Sequence, residues 1–120
     1  MASKQRPRRE PPAPDLDLAT VLRTLGDPVR LEIVRILSGG DLHSCGRLAE
    51  MVGLPFSTCS YHLKQLLLSG VTEVHAEGTT RFQVVRRAEL DSRFPGLIDL
   101  VLAAPPAPRE AVGASQGAER

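Results

Sequence analysis

No run of about 18 apolar residues occurs in the 120-residue chain, so no segment has the length and apolarity of a membrane-spanning helix. The first residues also lack the apolar core of a secretory signal, and a cytoplasmic location is expected. Cysteine is scarce: Cys45 and Cys59 are the only two, too few for a disulfide framework, and in a reducing compartment both are expected as thiols. An excess of one charge is lacking as well, the net being +1. No nucleophile motif, phosphate-cradling glycine loop or paired carboxylates in a plausible cleft is present, so an enzyme reading finds no support. His43, His62, His75 and the two cysteines show no zinc-site spacing, and neither a metal nor another cofactor is expected.

The charge that is present is unevenly placed. Residues 1–14 carry Lys4, Arg6, Arg8 and Arg9 against Glu10, together with four prolines, and without apolar periodicity they are expected to form a disordered basic arm. Such an arm either adds sequence-independent phosphate contacts or is a solvated leader. Residues 15–102 hold nine bases and eleven acids. Bulk charge therefore gives nucleic-acid binding no support, and that reading has to rest on local placement. Residues 103–120 are rich in alanine, proline and glycine and are expected as a disordered tail. One domain, 15–102, remains, large enough for a single modest core.

Within it the apolar residues recur at helical spacing. Leu18, Val21, Leu22 and Leu25 predict a first helix over 15–25, closed by Gly26. Asp27 followed by Pro28 is a capping side chain before a proline at the first helical position. The second helix then carries Val29, Ile33, Ile36 and Leu37 inward and Arg30, Glu32 and Arg35 outward, and stops at Ser38-Gly39-Gly40. Leu48, Ala49 and Val52 predict a short third helix over 46–52. A tight turn at Gly53 leads into a fourth, within 53–70, and two helices joined in this way are a helix-turn-helix.

The fourth helix organises the chain. At about 100° per residue, Phe56, Cys59, Leu63, Leu66 and Leu67 share a packing face, while Ser57, Thr58, Tyr61, Lys64 and Gln65 share a hydrogen-bonding one. No acid lies between Glu50 and Glu73, so nothing in the window repels a phosphate backbone. Residues 71–76 and 81–86 then read as two strands around a turn at Glu77-Gly78-Thr79-Thr80. A hairpin after a helix-turn-helix makes a winged helix, with Thr79, Thr80 and Arg81 at a tip able to meet phosphates or a minor groove. Finally, Phe94, Leu97, Ile98, Val101 and Leu102 predict a helix over 94–102, too short to be stable alone, whose stripe needs its own domain or a second copy to dock on.

This order, and three motifs within it, resemble the ArsR/SmtB (arsenic-repressor-like) winged-helix regulators. Leu25-Gly26-Asp27-Pro28-Val29-Arg30-Leu31 is similar to the opening of that family's second helix. Ser57-Thr58-Cys59-Ser60-Tyr61-His62-Leu63-Lys64-Gln65-Leu66 is similar to its recognition helix, and Glu77-Gly78-Thr79-Thr80-Arg81 to its wing. The resemblance implies a mainly α fold with a β-hairpin wing, and a homodimeric repressor bound to double-stranded DNA at a pseudo-palindromic operator. The first and last helices would form the dimer interface through Leu18, Val21, Leu22, Leu25, Phe94, Leu97, Ile98, Val101 and Leu102. Ser57, Thr58, Ser60, Tyr61, Lys64 and Gln65 would meet bases and phosphates, and His62 either a phosphate or the protein interior. Thr79, Thr80 and Arg81 would serve from the wing.

Three departures from the family accompany these motifs. The positions of its Cys-x-Cys metal pair hold Ser44 and Gly46 here, with Cys45 between them. The last helix offers only Asp99 in place of metal-binding histidines and acids. Leu68 projects from the polar face, towards a partner or as a tolerated exposed leucine. Two alternatives stay open: a thiol-responsive version of the same repressor using Cys45 and Cys59, or a winged helix serving only as a protein-interaction module.

Overall fold

The structure, a computed structural model, describes residues 14–105. Helix α1 (Leu18–Leu25) starts at a local capping signal. The Asp17 carboxylate accepts from the Thr20 N–H at 3.0 Å and from the Thr20 hydroxyl at 2.8 Å, satisfying a donor that a helix start leaves over. These two bonds hold its carboxyl below the usual carboxylate range. The helix thus begins later than the expected residue 15, and Leu16, before the cap, is buried in the core. Asp27 caps α2 (Pro28–Leu37) by accepting from the N–H groups of Val29 at 2.8 Å and Arg30 at 3.2 Å. Ser44 caps α3 (Cys45–Val52), accepting from the Arg47 N–H at 3.1 Å. Gly53 turns the chain in the left-handed region, and α4 (Phe56–Leu68) follows with Pro55 as its cap residue, one place before the first turn where it was expected.

The wing consists of β1 (Thr72–Glu77) and β2 (Thr80–Val85), paired antiparallel from Thr72↔Val85 to Glu77↔Thr80. Only Gly78 and Thr79 connect them, a tighter turn than the four residues predicted. With Gly78 at φ +62° and no positive φ at Thr79, the connection has the residue pattern of a type II′ hairpin turn. A helix that was not predicted, α5 (Arg87–Arg93), comes next, with Leu90 as its one buried residue. Helix α6 (Leu97–Ala103) is shorter at its start than the predicted 94–102. Phe94 ends α5, and Pro95 and Gly96 lie in the turn between the two helices.

The core gathers Val21, Ile33, Val34, Val52, Leu66 and Ile98, all without measurable exposure, so α1, α2, α3, α4 and α6 share one interior. Three arginines tie the chain around it. Arg35, expected outward, donates from Nε to the Val101 carbonyl at 3.1 Å and from Nη2 to that of Ala104 at 3.2 Å, capping the end of α6. Arg93 reaches the Leu16 carbonyl at 3.1 Å. Arg86, 7% exposed, donates from Nη1 to the carbonyls of Pro14 and Gly70, each at 2.9 Å, and from Nε to Glu89 at 2.7 Å. A buried guanidinium is costly unless it is paired in this way.

Of the segments expected to be disordered, residues 1–13 and 106–120 lie outside the described residues. Pro14, assigned to the arm, is held to the domain by Arg86. Among the described residues no helix is long and apolar enough to cross a membrane.

Candidate nucleic-acid interface

The turn between α3 and α4 is tight because its backbone is bonded back onto α3. The Leu54 N–H donates to the Ala49 carbonyl at 3.0 Å and the Gly53 N–H to that of Glu50 at 3.2 Å, while Leu54 packs against the core. Helix α4 is thereby presented with Cys59, His62, Leu63 and Leu66 buried. The outward arc carries Phe56, Ser57, Ser60, Tyr61, Lys64 and Leu68. Thr58, Gln65 and Leu67 are half-buried along its edges.

Two predicted placements change. Phe56, assigned to the packing face, is 61% exposed, because the first turn of α4 extends past the end of the core. His62 points inward and is 7% exposed, so its ring is not on the exposed face with the hydroxyls. Its Nδ1 accepts from Arg30 Nε of α2 at 3.2 Å. Arg30 also donates from Nη1 to the Thr24 carbonyl at 3.1 Å, and so turns inward although its charge predicts an outward position. Burial lowers the His62 pKa below the ordinary 6.5, the Arg30 charge acts in the same direction, and Asp27 opposes them. The ring is accordingly neutral near pH 7, as accepting a bond from a guanidinium requires. The link from α1 through Arg30 to His62 braces α4 from behind, and the lone basic residue of the DPVR stretch was its only trace in the sequence.

At the wing, Thr79, Thr80 and Arg81 are all exposed. Further down the hairpin, Thr72 Oγ1 donates to Gln83 Oε1 at 2.8 Å, and His75 Nε2 lies 2.8 Å from Glu73 Oε2. Between the hairpin and α3 lies a cavity of about 220 Å³ lined by His43, Cys45, Leu48, Leu63, Arg81 and Phe82, among others. Cys45 is half-buried there, and Cys59 is fully buried beside it. Burial, with the Cys45 charge and a hydrogen bond to the Cys45 sulfur, pushes the Cys59 thiol up to about 11. A second, more polar groove of about 460 Å³ runs between the α1–α2 turn and the end of α4, past Arg23, Asp27, Arg30 and Gln65. Among the described residues no three His, Cys, Asp or Glu side chains are grouped to hold a metal ion.

The residues expected at a dimer interface divide. Val21, Leu25, Ile98 and Val101 are buried in the core of the chain itself, and they are corrected from interface to interior. Phe94 and Leu97 are half-buried against that core. Leu18 (47%), Leu22 (49%) and Leu102 (37%) are exposed, as is Leu100 (65%), which was not predicted. Its signal was available: α6, Leu-Ile-Asp-Leu-Val-Leu-Ala, is apolar all round except at Asp99, more than one core-facing stripe can absorb.

A family model described as a helix-turn-helix domain matches residues 25–75. The chain is 32% identical over 83 residues to the uncharacterised HTH-type transcriptional regulator YceK of Bacillus subtilis, covering 68% of this chain and 82% of that one. It is 33% identical over 81 residues to the arsenical resistance operon repressor of Staphylococcus aureus, covering 68% and 77%. Among solved structures, it is similar to the homodimeric winged helix-turn-helix DNA-binding domain of Mb0332 from Mycobacterium bovis, a possible ArsR-family regulator. There the TM-score is 0.59 at 26% identity, over 70% of this chain and 76% of that one. The cadmium sensor CMTR of Mycobacterium tuberculosis aligns with a TM-score of 0.55 at 30% identity, over 75% and 93%.

Proposed function

The chain belongs to the ArsR-type winged helix-turn-helix family of DNA-binding transcriptional regulators, and from that premise we propose that it is a cytoplasmic homodimeric repressor occupying a pseudo-palindromic operator. Helix α4 enters the major groove with Ser57, Ser60, Tyr61 and Lys64 leading and Thr58 and Gln65 at its margins. Thr79, Thr80 and Arg81 meet the flanking backbone from the wing. The observation that carries this reading is the outward arc of α4, which bears hydroxyls and one lysine without an acid from residue 51 to 72. Hydroxyls bond to base edges or phosphates, and Lys64 serves phosphate. His62 acts from behind, through Arg30, rather than on the DNA.

The exposed leucines Leu18 and Leu22 on α1, and Leu100 and Leu102 on α6, supply the apolar surface for a second copy. In a dimer, two recognition helices spaced by one helical turn or a multiple of it read two half-sites. Selection of bound duplexes from fragmented genomic DNA tests the whole reading. A two-fold symmetric site is expected, bound with an affinity that falls steeply with salt. Absent or salt-insensitive binding would favour a protein-interaction module instead.

The placement of the half-buried Cys45 near the buried Cys59 favours a second reading, in which the repressor responds to thiol oxidation. Hydrogen peroxide would take the two thiols to one disulfide and two waters. Cys45, at the start of α3 and half-exposed, would be oxidised first to a sulfenic acid. The buried Cys59 would then displace water from it. Intact mass and thiol counting after peroxide, with Cys45→Ser and Cys59→Ala as controls, test this. Two free thiols persisting, or unchanged DNA affinity after the bond has formed, end it.

A further inference from the structure

Phe56 is the first residue of α4, and it is among the most exposed large apolar side chains of the described residues, at 61%. The chain has only four aromatic side chains of the Phe, Tyr and Trp types. Phe82 and Phe94 are half-buried, and the two exposed ones, Phe56 and Tyr61, both stand on α4. At 100° per residue Phe56 lies in one row with Ser60 and Lys64, one turn apart each. A group that reaches Ser60 and Lys64 therefore also meets the phenyl ring. The ring has no donor or acceptor, so it cannot read the polar edges of bases. In the major groove one base feature is apolar, the C5-methyl of thymine.

We propose that Phe56 is a specificity-determining residue that reads a thymine methyl in each operator half-site, at the base step met by the first turn of α4. The proposal rests on the DNA-binding reading above and adds to it a base identity and a chemical group. Ser57 and Ser60 beside the ring hydrogen-bond to neighbouring positions, so Phe56 contributes by excluding water from the methyl rather than by pairing. A phenyl ring exposed in the free protein gains burial only when the complex forms, so its contribution falls on affinity and not on folding.

The test uses the full chain and a duplex recovered by selection. Each thymine of the half-site is replaced in turn by deoxyuridine, which removes the methyl and leaves the pairing edge intact. Binding is measured by fluorescence anisotropy with the natural protein and with Phe56→Ala. One thymine per half-site is expected whose replacement weakens the natural protein about three- to fivefold, the worth of one buried methyl. Phe56→Ala should bind the thymine duplex more weakly and be indifferent to deoxyuridine at that position, with an unchanged melting temperature. If no position shows this loss of sensitivity, or if deoxyuridine affects both proteins alike, Phe56 does not read a methyl while the repressor reading stands. If Phe56→Ala alters the oligomeric state instead, the ring belongs to a protein contact. If the natural protein binds no duplex in a salt-dependent way, both readings fall together.

Discussion

Helix α4 and the wing are both expected at the DNA, yet the domain holds them in different ways. On the inner face of α4 Cys59 and Leu66 have no exposure and Leu63 has 5%, and Arg30 braces His62 across the gap to α2. The hairpin is anchored at its base, where Thr72 is fully buried and Arg86 nearly so. From Glu73 to Thr80 no residue is fully buried, and the ladder, with side-chain contacts such as His75 Nε2 to Glu73 Oε2 at 2.8 Å, fixes its geometry. Helix α4 is specified by packing from several sides, whereas the wing is specified by its root and its turn. Local opening should therefore cost nearly the global unfolding free energy in α4 and much less at the hairpin tip.

The contrast is broken most directly at Leu66. Leu66→Ala is expected to destabilise the fold by about 2–5 kcal/mol in urea unfolding. Truncating the half-buried Val84 of the wing to alanine should cost clearly less, and equal costs would erase the distinction between the two regions. Next in size is the brace. Arg30→Ala leaves the His62 acceptor and the Thr24 carbonyl without their donor, at about 1–3 kcal/mol, and should weaken operator binding beyond any effect of charge. Arg30→Met, of similar length, should behave like alanine if the hydrogen bonds matter, and should recover stability if only the stem's packing does.

Acid probes the same brace without mutation. The folded-state pKa of His62 is depressed below its unfolded 6.5, so the unfolded chain binds the extra proton first. The stability due to a neutral His62 is complete above pH 6.5 and is lost progressively as pH falls below it. His62→Gln should flatten the stability profile between about pH 6.5 and 5, above the range where carboxylates titrate. A profile unchanged by the substitution would remove His62 from the account. The smallest effect on folding is expected at the wing tip. Arg81→Ala should leave stability within about 0.5 kcal/mol, weaken all duplexes alike and lower the salt slope by about one. A change in preference among duplexes would instead make Arg81 a reader of bases.

Local signals in the sequence carried most of the architecture. Asp27 was legible as a cap, because a cap is a bond between neighbours and needs no tertiary context; Asp17 and Ser44 cap α1 and α3 in the same local way, although those starts were expected at residues 15 and 46. The wing likewise follows from alternation and a glycine at the turn. What escaped depends on partners distant in sequence. Arg30 and Arg35 carry charge and were expected outward, and Arg86 was given no inward role, but each meets carbonyls that no local pattern predicts. His62 could be assigned inward only with Arg30 known to lie behind it. Helix α5 has one buried apolar side chain, Leu90, and is supported by the Arg87–Asp91 ion pair at 2.8 Å, too little for a periodicity to register. Among the site residues, the exposed arc of α4 was legible as a pattern, while its edge at Phe56 depended on where the core ends.

Gly70 is the point at which these supports converge. It takes φ +86°, and a Cβ added there would stand 2.9 Å from Arg86 Nη1 and 3.0 Å from Leu16 Cδ2. In a saturation library sorted for operator occupancy, position 70 should tolerate no substitution, alanine included, even though it lies outside every helix and strand. Gly78, with nothing within 4 Å of such a Cβ, should be depleted only as far as its left-handed turn demands. A map of mutational tolerance would then single out Gly70 as a hub, from a residue that has no side chain of its own.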